Sequence, residues 1–362
     1  MKISLNSDLL AVKDALSPYT KRVYFVGGCV RDALLGRDIY DYDIEVYGIS
    51  PDKFDKIMQK LGSEGVGKSY FIYKFKNIDI GLARSESCVG SGHRDFAVKY
   101  EDDPRFASLR RDFSVNAMMI DIFSGELLDF WGGMKDLQDK TLRHIDSDKF
   151  SEDSLRVLRG VQFASRFGFK IAPSTLKLMC KLSISNLSTS RISTELLKFF
   201  RADYLEIGVR YLFILGLFSE LFGISLSKAR LRDFIYVLKT ANNDIKDETL
   251  FLYLLGGFFG VSAYDLARRL GLLRRFSRLK NEPYFSDTPS DFELVRIALR
   301  RPLKQWLGCY AERKKRALEL NIFEKKLDFC VDNSKFNSLK SDEIAKEVFR
   351  QENEFIKAYL KV

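Results

Sequence analysis

Asp41-Tyr42-Asp43 is the stretch of this sequence whose residue types and spacing most directly offer chemistry. On an extended strand, side chains at i and i+2 leave from one face, so both carboxylates project together while Tyr42 points away. Two hard oxygen donors side by side suit Mg²⁺. A two-metal phosphoryl-transfer site needs such a bridge, because its ions sit about 3.5–4 Å apart. Taken alone, the pair is weak evidence, since in most proteins such a pair is simply solvated surface. Asp79 offers a third carboxylate from within the apolar run Ile78–Leu82, an odd place for an Asp without a partner. A salt bridge to a nearby Lys or Arg is its structural alternative.

Further candidates flank these acids. Gly27-Gly28 follows the apolar run Val23–Val26 and precedes a helical pattern that carries Arg31. Glycine lets a backbone approach a phosphate closely, and a helix N-terminus with an arginine favours negative charge. An ordinary strand-to-helix turn explains the same residues without a ligand. Arg111, before Asp112, could clamp phosphate oxygens bidentately or stand as an exposed cation. Asn116 could bond a ribose or end a strand. Asp153 and Arg156 fall at i and i+3 of a predicted helix, where an intrahelical ion pair is worth about 0.2–0.5 kcal/mol. Arg159 follows one turn later on the same face, and Gln162 one turn after that.

The elements that must hold these residues divide into two kinds. Residues 1–150 read as α/β. Val23–Val26, Tyr40–Val46 with its period of two, and Val115–Ile122 are predicted strands, and Phe71–Phe75 with Ile78–Leu82 forms a predicted hairpin. Helices are predicted over about 30–35 and, from Pro51 behind Ser50, to about Leu61. Residues 84–106 have no clear period and are expected to form a mobile loop. From Ser151 the pattern is helical. One helix is predicted over Ser151–Phe167, with Ser151 as its N-cap and Gly168 as its stop, and further helices over Pro173–Leu182 and Ser190–Phe200. Asn281–Asp291, with two prolines, is the candidate linker. The expected fold is an α/β head followed by an all-helical body, α+β overall.

Charge follows the same division. The chain has 362 residues, with 59 Lys plus Arg against 49 Asp plus Glu, a net charge of +10. Residues 1–150 hold 22 basic and 24 acidic residues, a net of −2, and the rest hold 37 and 25, a net of +12. A basic back half suits a polyanionic partner. Two histidines exclude a histidine-rich metal site and argue against a Ser-His-Asp hydrolase. Five scattered cysteines without a C-x-x-C pair suit a reducing cytoplasm. The greasiest stretch, Leu250–Tyr264, is shorter than the ~20 residues of a membrane span and is expected to be a buried helix. The N-terminal residues lack the apolar run of a secretory signal.

Taken together, the segment VGGCVRDALLGRDIYDYDIEVYG resembles the nucleotidyltransferase head of the DNA polymerase beta superfamily. More specifically, it is similar to the class II, bacterial-type tRNA nucleotidyltransferase and poly(A) polymerase family. RRDFSVNAM at 110–118, EDSLRVLR at 152–159, and Arg191-Ile192 with Glu195-Leu196 resemble later motifs of that family in the same order. The resemblance covers about residues 20–225. It implies a head over 1–145, a helical nucleobase-binding neck over 146–225, and a basic body over 226–362 that holds the tRNA acceptor arm. It further implies Asp41, Asp43 and Asp79 as catalytic acids, with Mg²⁺ on Asp41 and Asp43. Gly28, Arg31, Arg111, Asp112, Asn116, Asp153, Arg156, Arg159 and Gln162 would surround the nucleotide.

The resemblance also implies base selection by protein. The Asp153 carboxylate would accept from the exocyclic amino group of cytosine or adenine, and the Arg156 guanidinium would donate to the ring nitrogen beside it. Uracil and guanine present the opposite pattern there. Gln162 departs from the family, which usually carries an arginine at that turn. The segment Ala83–Phe96 is similar to the family's flexible loop, full length rather than shortened, and no His-Asp pair of an appended phosphohydrolase follows residue 200. The expected activity is CCA addition to tRNA from CTP and ATP. A poly(A) polymerase or an enzyme adding A alone or CC alone shares these motifs. The rival from another class, a non-catalytic RNA-binding module on a decayed head, is disfavoured by the intact acidic, glycine and arginine elements.

Overall fold

The computed structural model describes residues 3–67, 71–88, 96–272, 274–336 and 339–361. The chain divides into two compact units, Met1–Leu187 and Ser188–Val362.

Among the described residues of the first unit, seven strands form one mixed sheet in the order β3-β4-β5-β2-β1-β8-β9. They are β1 Val23–Val26, β2 Tyr42–Val46, β3 Glu64–Gly67, β4 Ile72–Phe75, β5 Ile78–Leu82, β8 Met119–Asp121 and β9 Leu127–Leu128. The apolar members of β1, β2 and β5 close the core: Val23, Phe25, Ile44, Val46, Ile78 and Ile80 are each at most 1% exposed. β2 and β5 run parallel, with Asp43 opposite Asp79, whereas β1 pairs antiparallel with β2. The helix Gly28–Leu34 follows β1 directly.

Several boundaries differ from the sequence reading for identifiable reasons. Asp41 lies one residue before β2 rather than within it. Residues 84–106 hold a hairpin of β6 Arg84–Cys88 and β7 Phe96–Tyr100, then the helix Pro104–Ser108. The two strands form a sheet of their own, apart from the seven-stranded one. Residues 89–95 of the expected loop lie outside the described residues. The predicted strand 115–122 is split. Ser114–Asn116 makes a 3₁₀ turn because Ser114 donates to Asp136 and Asn116 to Asp112, leaving Met119–Asp121 as β8.

The predicted helix Ser151–Phe167 is two helices. Ser147–Ser151 is capped by Asp146, whose carboxylate accepts from the Lys149 amide. Leu155–Phe167 starts anew after the Asp153 carboxylate accepts from the Leu155 amide. Ser151 therefore ends one helix instead of capping another. Gly168 stops the second at φ 70°, where glycine carries no Cβ penalty. The short parallel pair β10 Thr141–Leu142 and β11 Lys170–Ile171 ties the end of this helix back to the head residues.

The second unit is helical among its described residues. The helix Leu250–Phe259 lies at its centre, with residues 250–255 at most 3% exposed. Asn281–Asp291 is not a linker. The Pro283 carbonyl accepts from Tyr253 Oη and Trp306 Nε1, both at 2.8 Å, and Phe285 stacks edge-on against Trp306.

Candidate active site

The parallel pairing of β2 and β5 sets the site. Register partners on parallel strands share a sheet face, so Asp43 and Asp79 border one cleft of about 160 Å³ with Glu45, Arg84, Arg110 and Arg111. Tyr42, on the opposite face, packs against Phe25. Burial raises the Asp43 carboxyl above its usual range, and the Asp79 and Glu45 charges add to this while Arg111 opposes it. Asp79 is half-exposed, with Lys74 Nζ 3.8 Å away. The salt bridge and the place in the cleft therefore coexist.

Glu45 was not among the residues expected here, although it continues the acidic alternation of Asp41 and Asp43. It is 3% exposed and takes Arg110 and Arg111 on Oε1, the latter at 2.7 Å, and the Tyr47 hydroxyl on Oε2 at 2.9 Å. Burial works against its charge, but the two guanidiniums outweigh burial and hold the carboxyl down at about 2. Arg111 is thus anchored from behind by Glu45. Arg84, from the hairpin, also lines the cleft and carried no signal in the sequence.

Gly27 makes the close approach possible. It sits at φ 71°, and a Cβ there would lie 3.2 Å from both Asp43 Oδ2 and Arg111 Nη1. Gly28 is the first residue of the helix behind it.

A second set of predicted residues forms a buried polar chain instead of a cleft wall. Arg31 is 3% exposed. Its guanidinium donates to Asn116 Oδ1 at 2.7 Å and to both Asp32 oxygens, and it stacks over Phe163 and Phe167. Burial lowers its pKa. Asn116 in turn donates to Asp112 Oδ1 at 2.9 Å, and Arg159 donates to Asp112 Oδ2 at 2.7 Å. Burial disfavours the Asp112 charge, yet Arg159 and Asn116 hold its pKa below the usual range.

Asp153 and Arg156 share one turn at the start of the helix, where the Arg156 amide donates to the Asp153 carbonyl at 3.1 Å. Asp153 precedes the helix, and Arg156 donates to the carbonyls of Lys149 at 2.8 Å and Arg110 at 2.5 Å. Arg156 is thereby tied to the backbone of the same arginine pair that borders the cleft. Gln162 is 1% exposed, and neither its Nε2 nor its Oε1 has a hydrogen-bond partner.

The acids fit a hard cation. Among the described residues no three His, Cys, Asp or Glu side chains cluster to form a cage. Mg²⁺ is usually held by one or two carboxylates completed by substrate phosphates and water, which Asp43 with Asp79 or Asp41 would supply.

Residues 23–143 match the model of the poly A polymerase head domain, and residues 168–224 match that of the "probable RNA and SrmB- binding site of polymerase A". The multifunctional CCA protein of Psychromonas ingrahamii is 43% identical over 185 residues, 48% of this chain and 44% of that protein. The chain spans about half the length of the curated relatives it matches. Among solved structures, a tRNA-processing enzyme in its apo form superposes with a TM-score of 0.65 at 20% identity, covering 95% of this chain and 99% of that one. The CCA-adding enzyme of Bacillus stearothermophilus in complex with CTP gives 0.63 at 21%, covering 95% and 81%. These two show a shared fold. The motif order, the head match and the curated relatives agree: residues 23–143 match a poly A polymerase head domain, and over about half its length the chain is similar to multifunctional CCA proteins.

Proposed function

We propose that the chain is a CCA-adding tRNA nucleotidyltransferase, which transfers CMP and AMP from CTP and ATP to a tRNA 3′ end and releases pyrophosphate. The observation that carries the reading is the Asp43–Asp79 register pair, bordering one cleft with Arg84, Arg110 and Arg111. Carboxylates on one wall and guanidiniums on another suit a reaction that moves a phosphoryl group between oxygens.

Asp43 with Asp41 would hold Mg²⁺, and Asp79 would stand beside them. The metal, when bound, supplies charge stabilisation for the attacking and leaving oxygens. Arg111, fixed by Glu45, would orient phosphate oxygens at the cleft. Arg159 would reach the nucleotide from the helix Leu155–Phe167, and Asn116 and Asp112 would fix its position. Asp153 and Arg156 would read the base edge. The neck over 146–225 would bind the nucleobase, and the basic residues of 226–362 would hold the tRNA acceptor arm by phosphate contacts, reading shape more than sequence. Such a substrate places the reaction in the cytoplasm. No described helix is long and apolar enough to cross a membrane.

One assay tests the reading: purified chain with Mg²⁺, offered CTP and ATP separately, on tRNA lacking its CCA, tRNA ending in CC, and mature tRNA. CMP addition to the first and AMP addition to the second alone is the expected result. AMP addition to all three in long tracts would identify a poly(A) polymerase instead.

A further inference from the structure

Three guanidiniums border the cleft of the head, and those of Arg110 and Arg111 are held by the buried Glu45. Arg84 reaches the cleft another way. It is the first residue of β6, in the two-stranded sheet that stands apart from the seven-stranded one. A guanidinium orients a phosphate only when the strand that carries it is itself fixed. Two backbone bonds begin that attachment. The Ala83 amide donates to the Val46 carbonyl at 2.9 Å, and the Glu101 amide donates to the Ala83 carbonyl at 3.1 Å.

Side-chain bonds continue it, and they converge on Asp102. Its Oδ1 accepts from the Gly48 amide at 2.8 Å and from the Tyr100 hydroxyl at 2.7 Å, and Tyr100 is the register partner of Arg84. Its Oδ2 accepts from Arg22 Nη1 at 2.8 Å, and its carbonyl accepts from Arg22 Nη2. Burial opposes the Asp102 charge, but the Tyr100 hydroxyl and Arg22 hold the carboxyl below its ordinary range. Arg22 immediately precedes β1, and Gly48 follows β2 by two residues. Arg22 is fixed in turn. Its amide donates to Thr20 Oγ1 at 3.0 Å, and its guanidinium lies 5.5 Å from the centroid of the Tyr47 ring, whose hydroxyl donates to Glu45. Arg84 is thereby referred to the same frame that holds Arg110 and Arg111.

The plainer account is an exposed ion pair of no consequence. The Arg22 and Asp102 side chains are 39% and 51% exposed, and such a pair alone is worth little. Asp102 differs because its donors come from both sides of a junction: Arg22 and Gly48 from the ends of the seven-stranded sheet, Tyr100 from β7. We propose that Asp102 is a positioning residue for nucleotide binding: by pinning the base of the β6–β7 pair to Arg22 and Gly48, it sets Arg84 against the substrate phosphates. The proposal rests on the reading of this cleft as the nucleotide site.

A double-mutant cycle on the full chain tests it, read as the dissociation constant of CTP with Mg²⁺. Arg84→Ala should weaken binding about tenfold, the loss of one charge-assisted contact. Asp102→Ala should weaken it about fivefold in the wild-type background and leave it unchanged in the Arg84→Ala background, because it acts through Arg84. Tyr100→Phe, which removes one hydroxyl from the junction, should follow the same pattern with a smaller effect. Equal losses from Asp102→Ala in the two backgrounds would make Asp102 a support of the fold alone and overturn the proposal. Unchanged binding in both Asp102→Ala and Tyr100→Phe would overturn it too, as would a wild-type chain that does not bind CTP. CMP addition to tRNA lacking its CCA is read separately on the same samples. Absent addition with the binding pattern intact counts against the reaction and leaves the positioning role standing.

Discussion

Asp43 and Asp79 are register partners on two parallel strands, with burial raising the first carboxyl while the second stands half-exposed beside Lys74. The difference separates their roles. Asp43→Asn is expected to reduce nucleotide addition by about a thousandfold, several kcal/mol of lost transition-state stabilisation, with tRNA affinity retained. Asp79→Asn, at a half-exposed site beside Lys74, should cost less. Single-turnover rates in Mg²⁺ check both, and near-wild-type turnover of Asp43→Asn would remove the metal assignment.

Glu45 couples the cleft to acid stability. Its folded pKa, about 2 against an ordinary 4.5, is depressed, so its contribution is full above pH about 4.5 and is lost as the pH falls towards 2. Glu45→Gln leaves Arg110 and Arg111 without their buried counter-charge and is expected to cost about 3 kcal/mol or more at neutral pH. Urea unfolding at a series of pH values should show a shallower acid limb in the variant. An unchanged limb would mean that the ion pair does not form.

Gln162 is held without a hydrogen bond. Replacing its buried carboxamide by the similar-sized apolar side chain of leucine removes an unsatisfied polar group, and Gln162→Leu should raise stability by about 1–3 kcal/mol. A destabilised Gln162→Leu would show that the amide has a partner in solution.

Asp153 and Arg156 differ in what they hold. Asp153→Ala loses the acceptor for the Leu155 amide, a cap worth about 1 kcal/mol. If it also reads the base, UTP and GTP incorporation should rise relative to CTP and ATP. Arg156→Ala frees two backbone carbonyls and should lower CMP and AMP incorporation together. Incorporation of all four nucleotides by each variant decides, and an unaltered preference in both refutes base reading.

The basic second half predicts a steep salt dependence. The logarithm of the affinity for tRNA should fall linearly with the logarithm of salt concentration, since each phosphate contact releases a counterion. Filter binding between about 50 and 200 mM salt measures the slope, where six or more contacts correspond to a loss of about a thousandfold. A flat profile would contradict a phosphate-held tRNA.

The head was legible where residues act through local periodicity. β1, the turn at Gly27-Gly28 and the Asp43 strand follow from alternation and from glycine. What escaped depends on pairing between distant segments. Glu45 was visible as an alternate acid, but its meaning came from Arg110 and Arg111, some 65 residues away. The strands β6 and β7 pair with each other in a sheet of their own, a partnership between segments that local alternation does not announce. The break between Ser151 and Leu155 comes from two aspartates that bond backbone amides, a choice that helical periodicity does not encode.

The Asp112 carboxylate divides its two oxygens between Asn116 and Arg159, and it is buried. A phosphate that draws on Arg159 therefore competes with an acceptor already in place. Wholly detaching the guanidinium would take from the buried Asp112 the donor on Oδ2 and leave Asn116 and the Phe113 amide on Oδ1, so a ligand there would have to share it. Affinity at that arginine is then a difference between two acceptors rather than the strength of one. If Arg159 takes a nucleotide's phosphate, as proposed, weakening Asp112 would leave more of the guanidinium for it.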